Sequence, residues 1–181
     1  MSDERPPHAA AGAGCRGPRR VLIGVGHRDR GDDAVGPVVA DAVLGMTDAV
    51  TTLVREGDLA VLPLLWDRDD DVLIVDACRA DGAVGTVRQV APDELQRSVA
   101  LSSHGLDVAD AIHLAERLDR MPRRLRVLGV TGRRFEHGPM SPELRAALPT
   151  VIASVATWLG IGPDPTDPTE PAADPAPHDT G

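Results

Sequence analysis

The chain has 181 residues, a formal net charge of −9 and 42% hydrophobic residues, which is enough for one domain with its own core. The acidic balance argues against a nucleic-acid partner or an anionic membrane surface, and no apolar run approaches the roughly 20 residues of a membrane-spanning helix. With one Phe, two Trp and no Tyr, the core must consist of Val, Leu, Ile and Ala, which is typical of a buried parallel sheet covered by helices.

The two ends of the sequence differ in composition from its middle. Residues 1–18 are rich in Pro, Ala, Gly and charge, and residues 162–181 contain six prolines and five acids, so neither end can supply a core. We expect a disordered arm over 1–18, one α/β domain over 19–161 and a disordered tail over 162–181. The arm lacks the apolar stretch of a signal peptide. Only Cys15, in the arm, and Cys78 are cysteines, which favours a reducing cytoplasm over a structural disulfide.

The domain begins with a predicted strand and helix. Val21–Val25 is a continuous apolar run that ends at Gly26, as expected of a buried strand. Proline is tolerated only in the first turn of a helix, so the following helix must begin between Asp33 and Pro37. Its apolar residues recur at helical spacing until Gly45.

The middle of the domain predicts further strands. Val50–Val54 is rich in β-branched residues and indicates a second strand. Leu59–Leu65 fits one or two helical turns and is followed by a charged loop. Val72–Val75 has the composition of a central strand, whereas Gly85–Val90 contains polar residues that are typical of an edge strand.

The last third predicts a helix, a strand and a helix. Leu106–Asp119 has one apolar and one acidic face, Leu125–Val130 is the last strand, and Ser141 followed by Pro142 marks the start of a helix that runs to about Leu159. Strands that alternate with helices imply right-handed crossovers. We therefore predict an α/β fold: a three-layer helix–sheet–helix sandwich around a mostly parallel, twisted sheet of about five strands.

Residues able to bind a metal or transfer a proton lie near the ends of these elements. Asp32 and Asp33 follow the first strand, Asp76 lies at the C-terminal end of the central strand, and His104 precedes a helix. In an open parallel sheet such positions converge on one edge, where ligands bind. Two carboxylates and an imidazole suit a borderline divalent ion such as nickel, zinc or manganese.

Each of these residues also has a structural explanation. Asp32 or Asp33 could cap the following helix, although one aspartate suffices for that. Asp76 could pair with an arginine such as Arg79, because a carboxylate at the end of a buried strand is costly when unpaired. His104, considered alone, fits a solvated loop. The sequence favours a site because all these residue types occur together.

Several familiar chemistries are poorly supported. Gly24 and Gly26 lack the third glycine of a dinucleotide fingerprint, and Asp29 stands in its place. Neither a phosphate-binding loop nor a Gly-x-Ser-x-Gly elbow is present. Cys78, beside a buried strand, fits inert packing better than a nucleophile. His27, directly after Gly26, is either an additional ligand or a polar loop residue.

Taken in order, these residues resemble the hydrogenase maturation proteases. The family pattern has an Asp-Asp/Glu pair after the first strand, a Val-Asp-Ala strand end followed by Gly-Thr, a Ser/Thr-x-His-x-Leu segment, a Leu-Gly-Val strand end and a Phe-Glu-x-Gly then Ser-Pro run. The matching residues are Gly31–Gly36, Val75–Ala77, Gly85–Thr86, Ser102–Leu106, Leu128–Val130, Phe135–Gly138 and Ser141–Pro142. The similarity spans nearly all of residues 20–160.

The resemblance implies a cytoplasmic, metal-dependent or aspartic-type endopeptidase. Such an enzyme removes the C-terminal extension of the large-subunit precursor of a nickel–iron hydrogenase, and the nickel already inserted in that precursor is contacted by residues corresponding to Asp33, Asp76 and His104. Either a carboxylate acts as base toward water or the metal polarises the scissile carbonyl. The implied partner is the precursor, with no nucleic acid or membrane.

The sequence departs from the family pattern in two places. His27 stands where the family has Asn, and Glu56-Gly57-Asp58-Leu59 stands where it has Asp-Gly-Gly-Thr. Asp32, His27, Glu56 and Asp58 are therefore auxiliary site candidates. The second departure keeps open a non-catalytic, nickel-dependent chaperone of the precursor. An unrelated α/β hydrolase or nucleotide-binding domain is the third hypothesis.

Overall fold

The computed structural model describes residues 18–90 and 108–161. The sheet within these residues has five strands in the order β2-β1-β3-β5-β4. Only β4 is antiparallel to its neighbour, β5; the other pairs are parallel. The strands are β1 (Arg20–Val25), β2 (Val50–Arg55), β3 (Asp71–Cys78), β4 (Val87–Gln89) and β5 (Arg124–Thr131).

Helices cover both faces of the sheet. Helices α1 (Val35–Met46) and α3 (Pro142–Trp158) bury valines and leucines against one face. Helix α2 (Val108–Arg117) and a 3₁₀ helix (Leu59–Leu64) pack on the other. A short 3₁₀ helix (Gly31–Ala34) leads into α1. The predicted α/β sandwich with a mostly parallel sheet of five strands is therefore confirmed.

The local predictions hold within the described residues, although several elements begin or end one or two residues away from the prediction and the central strand ends three residues later. Ser141 caps α3, since its hydroxyl oxygen accepts a bond from the Leu144 N–H at 3.3 Å, and α3 continues through Pro149. The central strand, however, extends beyond Val75 to Cys78. Asp76 lies two residues before the end of β3, as expected of an acid near the C-terminal end of the strand, because pairing with β5 continues along the whole strand.

Some predictions concern residues outside the described ranges. These are the N-terminal arm, the Pro-rich tail and the segment Ser102–Leu106, which includes His104. Within residues 18–90 and 108–161, no helix combines the length and the apolar character needed to cross a membrane.

Helix α1 approaches the ends of the two central strands at a glycine. A Cβ atom on Gly36 would lie 2.2 Å from the carbonyl oxygen of Val25 and 2.6 Å from that of Val75. Only glycine allows this approach, which places the start of α1 and the preceding acids against the carboxyl ends of β1 and β3.

Gly36→Ala is therefore expected to lower the free energy of unfolding by about 3 kcal/mol, because the backbone atoms that it meets cannot move aside. Gly45→Ala, in the same helix, is the matched control, since nothing lies within 4 Å of its added Cβ. That change should stabilise the protein by about 0.5–1 kcal/mol. Urea denaturation measures both; equal effects of the two changes would contradict the close-contact explanation.

Candidate active site

The carboxyl ends of β1 and β3 form the switch point of the sheet. The chain leaves β1 toward β2 on one side, whereas β3 pairs with β1 on the other side. In open α/β sheets the ligand crevice lies at such a point, outside the carboxyl ends of the strands. Asp33 follows β1 and Asp76 lies near the end of β3, so the fold brings both predicted acids to this crevice.

Asp33 is half-buried and is held against the end of β1. Its Oδ2 accepts a hydrogen bond from the backbone N–H of His27 at 2.8 Å. Gly26 permits the approach: its φ is +128°, and a Cβ there would lie 2.0 Å from the carbonyl oxygen of Asp33. Because residue 27 contributes its backbone, this contact survives the replacement of the family's Asn by His.

Asp76 is half-buried on the face of β3 that α2 covers. Side chains alternate along a strand, so Asp76 shares the face of Val72 and Ile74, both of which belong to the core under α2. In the adjacent strand Gly24 pairs with Val75, which makes Val25 and Asp76 the next neighbours. Asp76 therefore lies one strand away from the point where the Asp33 loop leaves β1.

His104 lies outside the described residues, but helix α2, which follows it, is described. The last residue of α2 is joined to the amino end of β5 by residues 118–123, so its first residue, Val108, points toward the carboxyl edge of the sheet. Among residues 18–90 and 108–161, no three His, Cys, Asp or Glu side chains form a group that could hold a metal.

Asp32 is fully buried and joins two loops. Its Oδ2 accepts hydrogen bonds from the backbone N–H groups of Arg133 and Arg134 at 2.8 and 3.0 Å, and its Oδ1 accepts one from that of Ser141 at 2.8 Å. Gly132 leaves room for the carboxylate, since a Cβ there would lie 2.8 Å from the Asp32 Cβ. Both oxygens of Asp32 therefore accept hydrogen bonds already, and its role is to hold in place the loops that form the site.

The explanation of these acids as helix caps is wrong. Neither the 3₁₀ helix nor α1 has a side-chain hydrogen bond at its N-cap. Both carboxylates instead accept hydrogen bonds from backbone N–H groups of other segments. Burial by itself would raise the pKa of Asp32, but the N–H bonds from Arg133, Arg134 and Ser141 outweigh it and lower this pKa below its usual range.

The auxiliary candidates after β2 have separate contacts. Glu56 reaches the loop after β1, with Oε2 3.8 Å from His27 Nδ1 and Oε1 3.6 Å from Arg28 Nε. Asp58 caps the second 3₁₀ helix by accepting a bond from the Ala60 N–H at 2.9 Å. The segment that departs from the family pattern is therefore tied to the loop that precedes Asp33.

Two further side chains complete the surroundings of the crevice. Burial raises the pKa of the Cys78 thiol. The nearby Arg88 lowers this pKa and Asp76 raises it, and the pKa remains above its ordinary value. The thiol therefore stays protonated at neutral pH, which supports its interpretation as packing. The Arg79 guanidinium stacks on the Phe135 ring, 4.4 Å from its centroid, and links the ends of β3 and β5.

Sequence reasoning missed Arg55, the last residue of β2. Its Nε is buried and has no hydrogen-bond partner within the part of the chain that the structure describes. The available signal was a charged residue at the end of a β-branched run, which a strand-edge position explains equally well. Only the register shows that it lies beside Val25 at the carboxyl edge.

The chain matches a known protein family over more than half of its length. The family model described as hydrogenase maturation protease matches residues 58–158, or 101 of the 181. The chain belongs to the hydrogenase maturation protease family. The matched range contains Asp76 and His104 and begins after Asp33. Among curated protein sequences, none matches the chain.

Solved structures of hydrogenase maturation proteases share the fold. The hydrogenase maturating endopeptidase HybD from E. coli has a TM-score of 0.64 and 22% identity, with 78% of this chain and 92% of that chain covered. The [NiFe] hydrogenase maturation protease HycI from Thermococcus kodakarensis KOD1 has a TM-score of 0.60 and 23% identity, with 78% and 92% covered. At this identity the likeness shows a common architecture.

Proposed function

We propose that this protein is an endopeptidase that removes the C-terminal extension of a nickel–iron hydrogenase large-subunit precursor after nickel insertion. The observation that supports the proposal most is the placement of two acids at the switch point of the sheet. Asp33 lies in the 3₁₀ helix that follows β1, and Asp76 lies near the end of the adjacent β3. Family membership supports the class of reaction, and the residue pattern supports the choice of substrate.

In this proposal the nickel is part of the substrate. Asp33, Asp76 and His104 bind it through two carboxylates and an imidazole, a mixed oxygen and nitrogen donor set that suits nickel. His104 precedes Val108 by four residues, and α2 packs on the face of β3 that carries Asp76. The metal requirement makes cleavage depend on nickel insertion, because a precursor without nickel lacks the ion that these side chains bind.

The buried Asp32 gives this site its rigidity. Its carboxylate fixes the loop after β5 against the loop that carries Asp33, so the nickel-binding carboxylate is held before the precursor arrives. Preorganisation of this kind lowers the cost of binding. The reducing cytoplasm expected from the cysteine content is the compartment that we propose for the reaction.

The test uses wild-type protein with nickel-loaded and nickel-free precursor. We expect mass spectrometry to show loss of a C-terminal peptide from the nickel-loaded precursor alone, because only that form presents the metal. A nickel-loaded precursor that binds and keeps its full mass would favour the non-catalytic chaperone. Equal cleavage of both forms would contradict nickel recognition while leaving the endopeptidase activity in place.

A further inference from the structure

Arg55 presents a buried hydrogen-bond donor at the edge of the crevice. Its Nε is shielded from solvent without a partner in the described residues, and the ion pairs found among these residues do not involve its guanidinium. The neighbouring Glu56 is directed instead toward Arg28 and His27. An arginine stays charged at all physiological pH values, and a donor buried without a partner carries a substantial desolvation cost.

The register places this donor beside the candidate metal-binding acids. Arg55 pairs with Val25, and Val25 is the neighbour of Asp76, since Gly24 pairs with Val75. Alternation along β2 puts Arg55 on the same face as Leu53, which packs in the core under α2. Adjacent strands are about 4.8 Å apart, so the Cα atoms of Arg55 and Asp76 are separated by about 10 Å.

The backbone of Arg55 is also joined to the loop that carries Asp33. The carbonyl oxygen of Arg55 accepts a hydrogen bond from the Gly26 N–H at 3.1 Å. His27, which follows Gly26, donates its backbone N–H to the Asp33 carboxylate at 2.8 Å. Arg55 is therefore held at a defined position next to the crevice, and the apolar Val25 between it and Asp76 offers no competing acceptor.

We propose that Arg55 is a substrate-binding residue whose Nε–H donates a hydrogen bond to a carbonyl or carboxylate oxygen of the precursor segment in the crevice. This inference rests on the proposed function. A donor that the free protein leaves without a partner gains one when the precursor binds, so its bond contributes to affinity. In the free protein the same donor is a cost to stability, because nothing compensates its desolvation.

The test compares Arg55→Met, which keeps the length of the side chain and removes its donors, with Arg117→Met. Arg117 is exposed at the end of α2, toward the opposite edge of the sheet. Its substitution makes the same change in charge but lies away from the crevice. We expect Arg55→Met to weaken binding to immobilised, nickel-loaded precursor about tenfold and to leave the Tm unchanged or raised. Arg117→Met should match the wild type in both measurements.

Two additional measurements identify the oxygen and guard against misfolding. If the acceptor is a carboxylate, the difference in affinity between wild type and Arg55→Met shrinks as salt rises; a neutral carbonyl leaves it nearly constant. Arg55→Lys keeps the aliphatic stem and the charge but lacks an Nε–H, and it should also bind more weakly than the wild type. It replaces Arg55→Met in the comparison if the latter fails to fold.

The outcomes separate this inference from the proposed function. Binding by Arg55→Met within twofold of the wild type, or a Tm that falls with the affinity, would overturn the role of Arg55. If the wild type binds the precursor but releases no peptide, the endopeptidase proposal is overturned. The comparison of affinities then still tests the role of Arg55. A wild type that does not bind the precursor overturns both.

Discussion

Asp76→Asn is expected to reduce release of the C-terminal peptide by about 10²- to 10⁴-fold, the range associated with loss of a positioned catalytic group. The substitution keeps the shape of the side chain but removes the negative charge on which the proposed nickel contact depends. Asp33→Asn and His104→Ala should have effects of similar size, because each removes one of three proposed contacts to the same ion. Peptide release is followed by mass spectrometry under single-turnover conditions.

The control for these variants is Asp81→Asn, which changes an exposed acid in the loop after β3. It should process the precursor at the wild-type rate. The three site variants should keep the wild-type far-ultraviolet circular dichroism, because Asp33 and Asp76 are only half-buried. Wild-type processing by all three variants would show that the site is assigned to the wrong residues.

Asp32→Asn is expected to lower the free energy of unfolding by about 2–3 kcal/mol at pH 7, because the amide has one acceptor oxygen where the carboxylate has two. Its NH₂ group would face one of the three backbone N–H groups that now donate to Asp32. Asp48→Asn, at an exposed turn, is the matched control and should change the stability by less than about 0.5 kcal/mol. Chemical denaturation measures both variants.

The effect of Asp32→Asn should depend on pH in a defined direction. The N–H bonds lower the pKa of Asp32 in the folded state, so its contribution is complete above the ordinary aspartate pKa of about 3.9 and decreases as the pH falls below that value. The difference in the free energy of unfolding between wild type and variant should therefore be constant from pH 7 to pH 5 and become smaller in more acidic solution. A gap that widens with acid would contradict the role assigned to the carboxylate.

Local patterns in the sequence predict most of the fold. The apolar run Val21–Val25, the early Pro37 and the Ser141-Pro142 pair each act within a few residues, so strand, helix start and cap follow from nearby atoms. Polar residues likewise mark β4 as an edge strand. The end of β3 was predicted too early, since the pairing of Asp76–Cys78 with β5 is a contact between distant segments.

The roles of the two adjacent aspartates show why the site was less predictable. By residue type and spacing Asp32 and Asp33 are equivalent acids before a helix, and only the family resemblance singles out Asp33. In the structure the three N–H groups that Asp32 accepts come from residues about a hundred positions away, whereas Asp33 accepts one from a residue six positions back. A hydrogen bond between distant loops leaves no periodic trace in the sequence, so it separates the acids only after folding.

By itself, the sequence determined the order and type of the elements, the valine-rich parallel sheet and the presence of acids at strand ends, because burial and backbone preference act on neighbouring residues. The tertiary structure alone decided that Asp32 is buried and joins two distant loops. It also placed Arg55 in register with Val25. These outcomes depend on how strands pair and loops meet, and that is settled by contacts across the whole chain.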